Sequence, residues 1–252
     1  MRFLFTPMIL QYIPILIASA GALTSHPETT AAEVSDSVSV EIFADSVPPV
    51  ILRLTEEDYR AVAEELGVET AAIKAVVDIE AGPQHAGFFA PGKPLVNFDL
   101  AMFRQRARHN KINLSRYAQS HASVFARPNA RRYGSTQAAQ QERLRLARTI
   151  HDATAIEGTF WGMFQIGGFN WKLCGCSDIQ EFVRRMSTSE REQLELFAAF
   201  IKSIGIDKAL RNKDWATFAR RYNGSSYASR GYHTRMAKAY QRHKALEARG
   251  DK

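Results

Sequence analysis

From residue 55 onward the apolar positions recur mainly at three- and four-residue intervals, the pattern of helices buried along one side. Thr55 followed by Asp58 makes a capping-box variant ahead of Tyr59, Val62 and Leu66, and Gly67 supplies a left-handed terminator. A second helix starts at Thr70, carries Ile73, Val76 and Val77 as its stripe, and ends at Gly82-Pro83. The stripe position seven residues beyond Ile73 is a carboxylate, Glu80. Between Phe88 and Phe98, two apolar pairs flank Ala90-Pro91-Gly92-Lys93, which predicts one β-hairpin, the only sheet of any size. A helix from about Asp99 to Arg108 follows. Residues 109–136 are irregular, with basic residues alternating with Tyr117, Phe125 and Tyr133. Leu144, Ala147 and Ile150 predict one helix from Thr136 to about Ala155.

The last third repeats this grammar. Ser177 is placed to cap a helix over Asp178 to Met186, and Ser189 with Glu192 forms a capping box for a helix through Ile204. Asp214 caps a helix with the stripe Trp215, Phe218, Ala219 and Tyr222, ended by Gly224, and a final helix runs from about Thr234 to Ala248. No repeat at a solenoid period is present. The fold class is therefore mainly α, with a single small hairpin.

The first 50 residues are of a different kind. Arg2, a broken apolar run through Ile17 and the small residues Ala18 to Ala22 read as a secretory signal peptide or, if uncleaved, a membrane anchor over residues 1–22. Residues 23–50 hold five acids, no Lys or Arg, and Pro48-Pro49, the composition of a flexible acidic linker with at most a short strand around Val38 to Phe43. Residues 51–252 then form one domain. Both readings of the leader place that domain outside the cytoplasm, in the periplasm or cell envelope. The 252-residue chain carries +7. Arg2 accounts for one positive charge and the linker removes five, which leaves +11 on the domain. Such a surface suits an anionic polymer, and export disfavours nucleic acid in favour of the cell wall.

Cys174 and Cys176 are the only cysteines. They offer half of a four-ligand zinc site that no nearby His or Cys completes, and the short loop would strain a disulfide. They read as two small, partly buried thiols, with no metal and no cofactor implied.

Three segments carry candidate chemistry. A carboxylate on an apolar stripe is costly to ionise, so Glu80 should hold its proton near neutrality, as a general acid for glycosidic cleavage must. The alternative is a stripe-edge Glu leaning into solvent. The segment Trp161-Gly162-Met163-Phe164-Gln165-Ile166-Gly167-Gly168 lets backbone approach a ligand, with Trp161 and Phe164 as groove floor and Gln165 facing sugar hydroxyl or acetamide groups. It can equally be a packed turn. Tyr222 and Asn223 stand at a helix end, where they can reach a cleft or simply terminate the helix.

Taken together, these runs resemble the N-acetylmuramidase domain of phage endolysins. In motif order they also resemble goose-type lysozymes and lytic transglycosylases. The matching runs are Ala75-Val76-Val77-Asp78-Ile79-Glu80, Phe98-Asp99, Trp161 to Trp171 and Phe218 to Gly224, spread over about residues 55 to 245. The resemblance implies a lysozyme-like helical fold that cuts the β-1,4 bond between N-acetylmuramic acid and N-acetylglucosamine in peptidoglycan glycan strands. It makes Glu80 the general acid, with Gln165, Tyr222 and Asn223 lining the saccharide groove or bracing it. Three departures stand out: Ala81 and Phe160 occupy positions where the family carries small hydroxyl residues, and Asp99 sits where a Glu is common.

A second carboxylate is needed about 6.5–9.5 Å from the acid for inversion, or about 5–5.5 Å for retention. Asp99 is the first candidate, with an N-cap as its alternative role; Asp78 points away from Glu80 on its helix, and Glu157 could approach from the Gly-rich side. Without one, the sugar's acetamide or 6-hydroxyl would serve, the latter giving a lytic transglycosylase. A non-catalytic wall-binding module is the third possibility.

Overall fold

The computed structural model describes residues 50–82, 86–126 and 136–250. The leader (residues 1–22), the acidic linker up to residue 49 and its short strand lie outside the described residues. Among the described residues the domain is mainly helical with two small sheets, as expected.

Helix α1 (Glu56–Leu66) begins with the expected capping box: Thr55 Oγ1 accepts from the Asp58 amide at 3.3 Å, and Asp58 Oδ2 accepts from the Thr55 amide at 2.8 Å. Helix α2 (Thr70–Glu80) is the buried axis of the domain. Ala71, Ala72, Ile73, Ala75, Val76 and Val77 are all inaccessible, more of the helix than a single stripe would bury. The reason is that α1 covers one flank while the last helix, α11 (Tyr232–Arg249), lies along the other. Small alanines let α11 approach closely, and Arg242 and His243 of α11 close on Asp78. Asp78 is thus committed to helix packing, as its position on α2 led us to expect.

Strands β1 (Phe88–Ala90) and β2 (Lys93–Pro94) pair as the expected hairpin. The sheet does not stop there. β3 (Val96–Phe98) pairs antiparallel with β4 (Thr159–Trp161), which pairs with β5 (Ile166–Gly167), so the Gly-rich segment is itself a hairpin in a three-stranded sheet. The expectation of a single hairpin missed this because β3 and β4 are joined only through pairing across some sixty residues, which no local pattern announces.

Four α-helices among the described residues separate those strands: α3 (Leu100–His109), the short α4 (Ala122–Phe125), α5 (Gln137–Ile150) and α6 (Asp152–Glu157). The predicted helix through Ala155 is broken at His151, which is extended and whose Nδ1 caps the Thr154 amide at 3.2 Å. The break lets α6 turn to pack against α3. Helix α5 supplies what the outer edge of β3 lacks: Gln137 and Gln140 accept from the Val96 and Phe98 amides, each at 2.9 Å.

Helix α7 (Ile179–Met186) is capped by Asp178 rather than Ser177, whose amide instead donates to Glu181. Helix α8 (Glu190–Ser203) is capped by Ser189, but Glu192 leaves the box to pair with Arg185. A short helix α9 (Asp207–Arg211), absent from the sequence reading, precedes α10 (Trp215–Asn223), whose cap is Asp214 as expected. Helix α11 starts two residues earlier than predicted.

Two buried polar side chains of α8 fasten the region around the site. Glu190 accepts from Arg53 and from the Leu54 and Gly87 amides, and Gln193 accepts from the Met163 amide at 2.8 Å while donating to Gly87 and Met186 carbonyls. They tie the chain leaving α2 and the turn between β4 and β5 to one rigid helix.

Candidate active site

A cleft of about 690 Å³ opens where the C-terminal ends of α2 and α10 meet the β4–β5 hairpin. Each element is stopped there for a local reason. Helix α2 ends as Ala81 turns into Gly82 at φ +70°, and α10 ends as Gly224 takes φ +79°. In the hairpin, Gly168 cannot be replaced: a Cβ there would lie 2.0 Å from the Ile156 carbonyl oxygen.

Glu80 sits at the back of the cleft, 7% exposed. Asn223 Nδ2 donates to its Oε1 at 2.9 Å. Burial pushes its carboxyl up from the ordinary 4.5 to about 7, opposed by the Asn223 hydrogen bond and by the charge of Arg235 on α11. A proton is therefore available near neutral pH.

Gln165 and Phe164 also line the cleft. Gln165 has φ +48°, rare for a residue with a Cβ, and its Nε2 donates to the Gly162 carbonyl at 2.8 Å. Phe164 stacks on Phe197 with centroids 4.3 Å apart. Tyr222 lines the cleft with one edge while its hydroxyl donates to the Phe164 carbonyl at 2.8 Å, so it braces the hairpin turn.

Trp161 is placed elsewhere. It is 2% exposed, donates from Nε1 to the Ile156 carbonyl and packs edge-on against Phe182. It belongs to the core and is not among the residues lining the cleft, because the strand alternation of β4 turns it inward and turns Phe160 outward. Asp99 is half-buried, caps α3 by accepting from the Met102 amide at 2.8 Å, and does not line the cleft. Glu157 is held by Arg106 in a two-point pair at 2.9 and 3.0 Å and by Asn110, also away from the cleft lining. Among the described residues Glu80 is the one carboxylate lining the cleft.

The sequence reading stopped at Gly224, and so missed Ser225, Ser226, Tyr227, Arg230 and Tyr232, which complete that side. Their only signal is composition, a polar and aromatic turn directly after a helix terminator. Phe169 and Phe160, edge-on at 6.3 Å, form part of the opposite side.

A family model for N-acetylmuramidase matches residues 69–244. The chain belongs to the N-acetylmuramidase family. A solved structure, described as the crystal structure of Burkholderia AP3 phage endolysin, is 34% identical; the match covers 81% of this chain and 75% of that one, with a TM-score of 0.67. No curated protein matches. This muramidase is thus a glycosidase of the lysozyme type, and its substrate is peptidoglycan. The family's Glu, Gln and Tyr-Asn runs, far apart in sequence, are the segments that converge on the cleft. Of the departures read from the sequence, Ala81 is the C-cap of α2 beside Glu80, and Phe160 lines the cleft with a ring.

No group of three His, Cys, Asp or Glu side chains among the described residues is placed to hold a metal ion. Cys174 and Cys176 are buried free thiols; burial pushes the Cys176 thiol up to about 11 and Cys174 higher still, so neither is a ready nucleophile.

Proposed function

We propose that the enzyme cleaves the β-1,4 bond between N-acetylmuramic acid and N-acetylglucosamine, with Glu80 as the general acid. The observation that carries this reading is a buried carboxylate, protonated near pH 7, lining a cleft and held at 2.9 Å by Asn223. Asn223 engages Oε1, and the proton is carried on Oε2 toward the leaving glycosidic oxygen. Gln165, Ser225 and Ser226 supply donors and acceptors for hydroxyl and acetamide groups, while Phe164 and Tyr222 hold the turn that presents Gln165. Trp161 contributes by anchoring β4. Residues 1–22 deliver the domain to the wall as a signal peptide or tether.

Asp99 does not line the cleft, and this favours a second reading. In it Glu80 protonates the leaving glycosidic oxygen as its bond to the anomeric carbon breaks, the sugar's own 6-hydroxyl bonds to that carbon, and the hydroxyl's proton returns to the Glu80 carboxylate, leaving a 1,6-anhydro end. Mass spectrometry of muropeptides released from whole peptidoglycan decides between the readings. Reducing muramic acid ends support hydrolysis, and 1,6-anhydro ends support the transglycosylase. Release of neither, with wall binding retained, means a binding module. Glu80→Gln should abolish release in either catalytic case.

A further inference from the structure

The two sides of the cleft differ in chemistry. Residues 160–173 contribute Phe160, Phe164, Ile166, Phe169 and Leu173 with the uncharged amides Gln165 and Asn170, a mainly apolar side that carries no charge. Residues 220–230 contribute Arg220, Arg221 and Arg230, all exposed. No lining carboxylate among the described residues opposes them except Glu80. Neither Arg220 nor Arg221 is in an ion pair among the described residues. The Arg221 guanidinium is fixed by donating to the Ile204 and Gly205 carbonyls at the end of α8, so its charge is held in place beside the cleft.

A neutral sugar needs no such concentration of guanidinium groups. Planar guanidinium forks match carboxylates, and peptidoglycan carries its carboxylates on the peptide stems attached to muramic acid. We propose that Arg220, Arg221 and Arg230 form a carboxylate-reading rim that recognises the peptide stems of the glycan, making the enzyme selective for stem-bearing, anionic strands. This inference rests on the muramidase reading of the cleft. It adds a determinant on the strand's substituents to the recognition of its sugars.

The test compares kcat/KM on soluble glycan strands with free stem carboxylates against the same strands amidated with carbodiimide and methylamine, which removes charge and keeps the stems. An exposed guanidinium–carboxylate pair is worth about two- to fivefold, so three should favour the free strands about tenfold. The ratio should fall toward one in Arg220→Gln/Arg230→Gln and be restored in Arg220→Lys/Arg230→Lys. In the unaltered enzyme it should fall as salt rises from 0.05 to about 0.5 M, and this measurement stands alone if the glutamine variant fails to fold. Equal rates on both strands in the unaltered enzyme overturn the rim and leave the muramidase reading intact. Cleavage of neither strand overturns that reading, and the rim falls with it.

Discussion

Glu80 and Glu157 invite comparison, because they are the same residue in nearly the same situation. Each is the last residue of a helix, where exposed carbonyls disfavour negative charge, and they are 7% and 9% exposed. Around Glu157 the protein has built Arg106 and Asn110, and the carboxylate is consumed in joining α3 to α6. Around Glu80 it has placed an amide, Asn223, and an open cleft. Burial alone does not make an acid catalyst. On the reading proposed above, what sets Glu80 apart is its place beside Asn223 at an open cleft.

The largest effect should come from Glu80→Gln, which keeps the shape and removes the proton: release of muropeptides should fall by about a thousandfold or more. The same substitution should stabilise the protein in a pH-dependent way. At pH 4 both forms of the parent are protonated and the variant gains nothing. Between 4.5 and about 7 the unfolded chain releases its proton before the folded one, so the parent loses stability as pH rises. Above pH 7 the glutamine variant should be more stable by about 3 kcal/mol, read from denaturant midpoints at pH 4 and pH 8. A variant equally stable relative to the parent at both pH values would show that Glu80 is not strained by burial.

Glu157→Gln should behave in the opposite sense. It leaves Arg106 facing an uncharged partner and should cost about 3 kcal/mol of stability, with kcat per folded molecule close to the parent. If kcat instead collapses while stability holds, the two glutamates have been assigned to the wrong roles.

Asn223→Ala should lower kcat by about thirtyfold, since a hydrogen bond to a charged or proton-sharing carboxylate is worth about 2 kcal/mol. It removes an interaction that holds the Glu80 carboxyl down, so the alkaline limb of the pH profile, near 7 in the parent, should move upward. A lowered rate with an unmoved limb would mean that Asn223 touches substrate and not the acid. The smallest effect is expected from Asp99→Ala: about 1 kcal/mol from the lost cap of α3, with kcat within about threefold. A hundredfold loss of kcat would restore Asp99 as the second catalytic group.

How much of this was written in the sequence depends on the reach of each interaction. The ends of α1 and α10 were legible because Thr55, Asp58, Asp214 and the closing glycines act within four residues. Glu80 was legible for the same reason, as a carboxylate in phase with Ile73 and Val76. The break at His151 was not, because Arg148-Thr149-Ile150-His151 contains no Gly or Pro and α6 packs against α3, some fifty residues earlier in the chain. Nor could the pairing of β3 with β4, or the Gln137 and Gln140 bonds that finish that sheet's edge, be read from neighbours in the chain. Trp161 misled by being apolar and near the glycines; alternation along a two-sided strand sends it inward and Phe160 outward.

The seam between α2 and α11 has a consequence for how the molecule comes into being. Asp78 and His243, joined across it, are 165 positions apart, and Asn223 meets Glu80 from 143 positions downstream. A ribosome delivers α2 long before either partner exists. During that interval the flank of α2 that α11 covers lies open and Glu80 has no Asn223 beside it, so a nascent chain carries the proposed acid without its brace. On that reading, activity waits for α10 and α11.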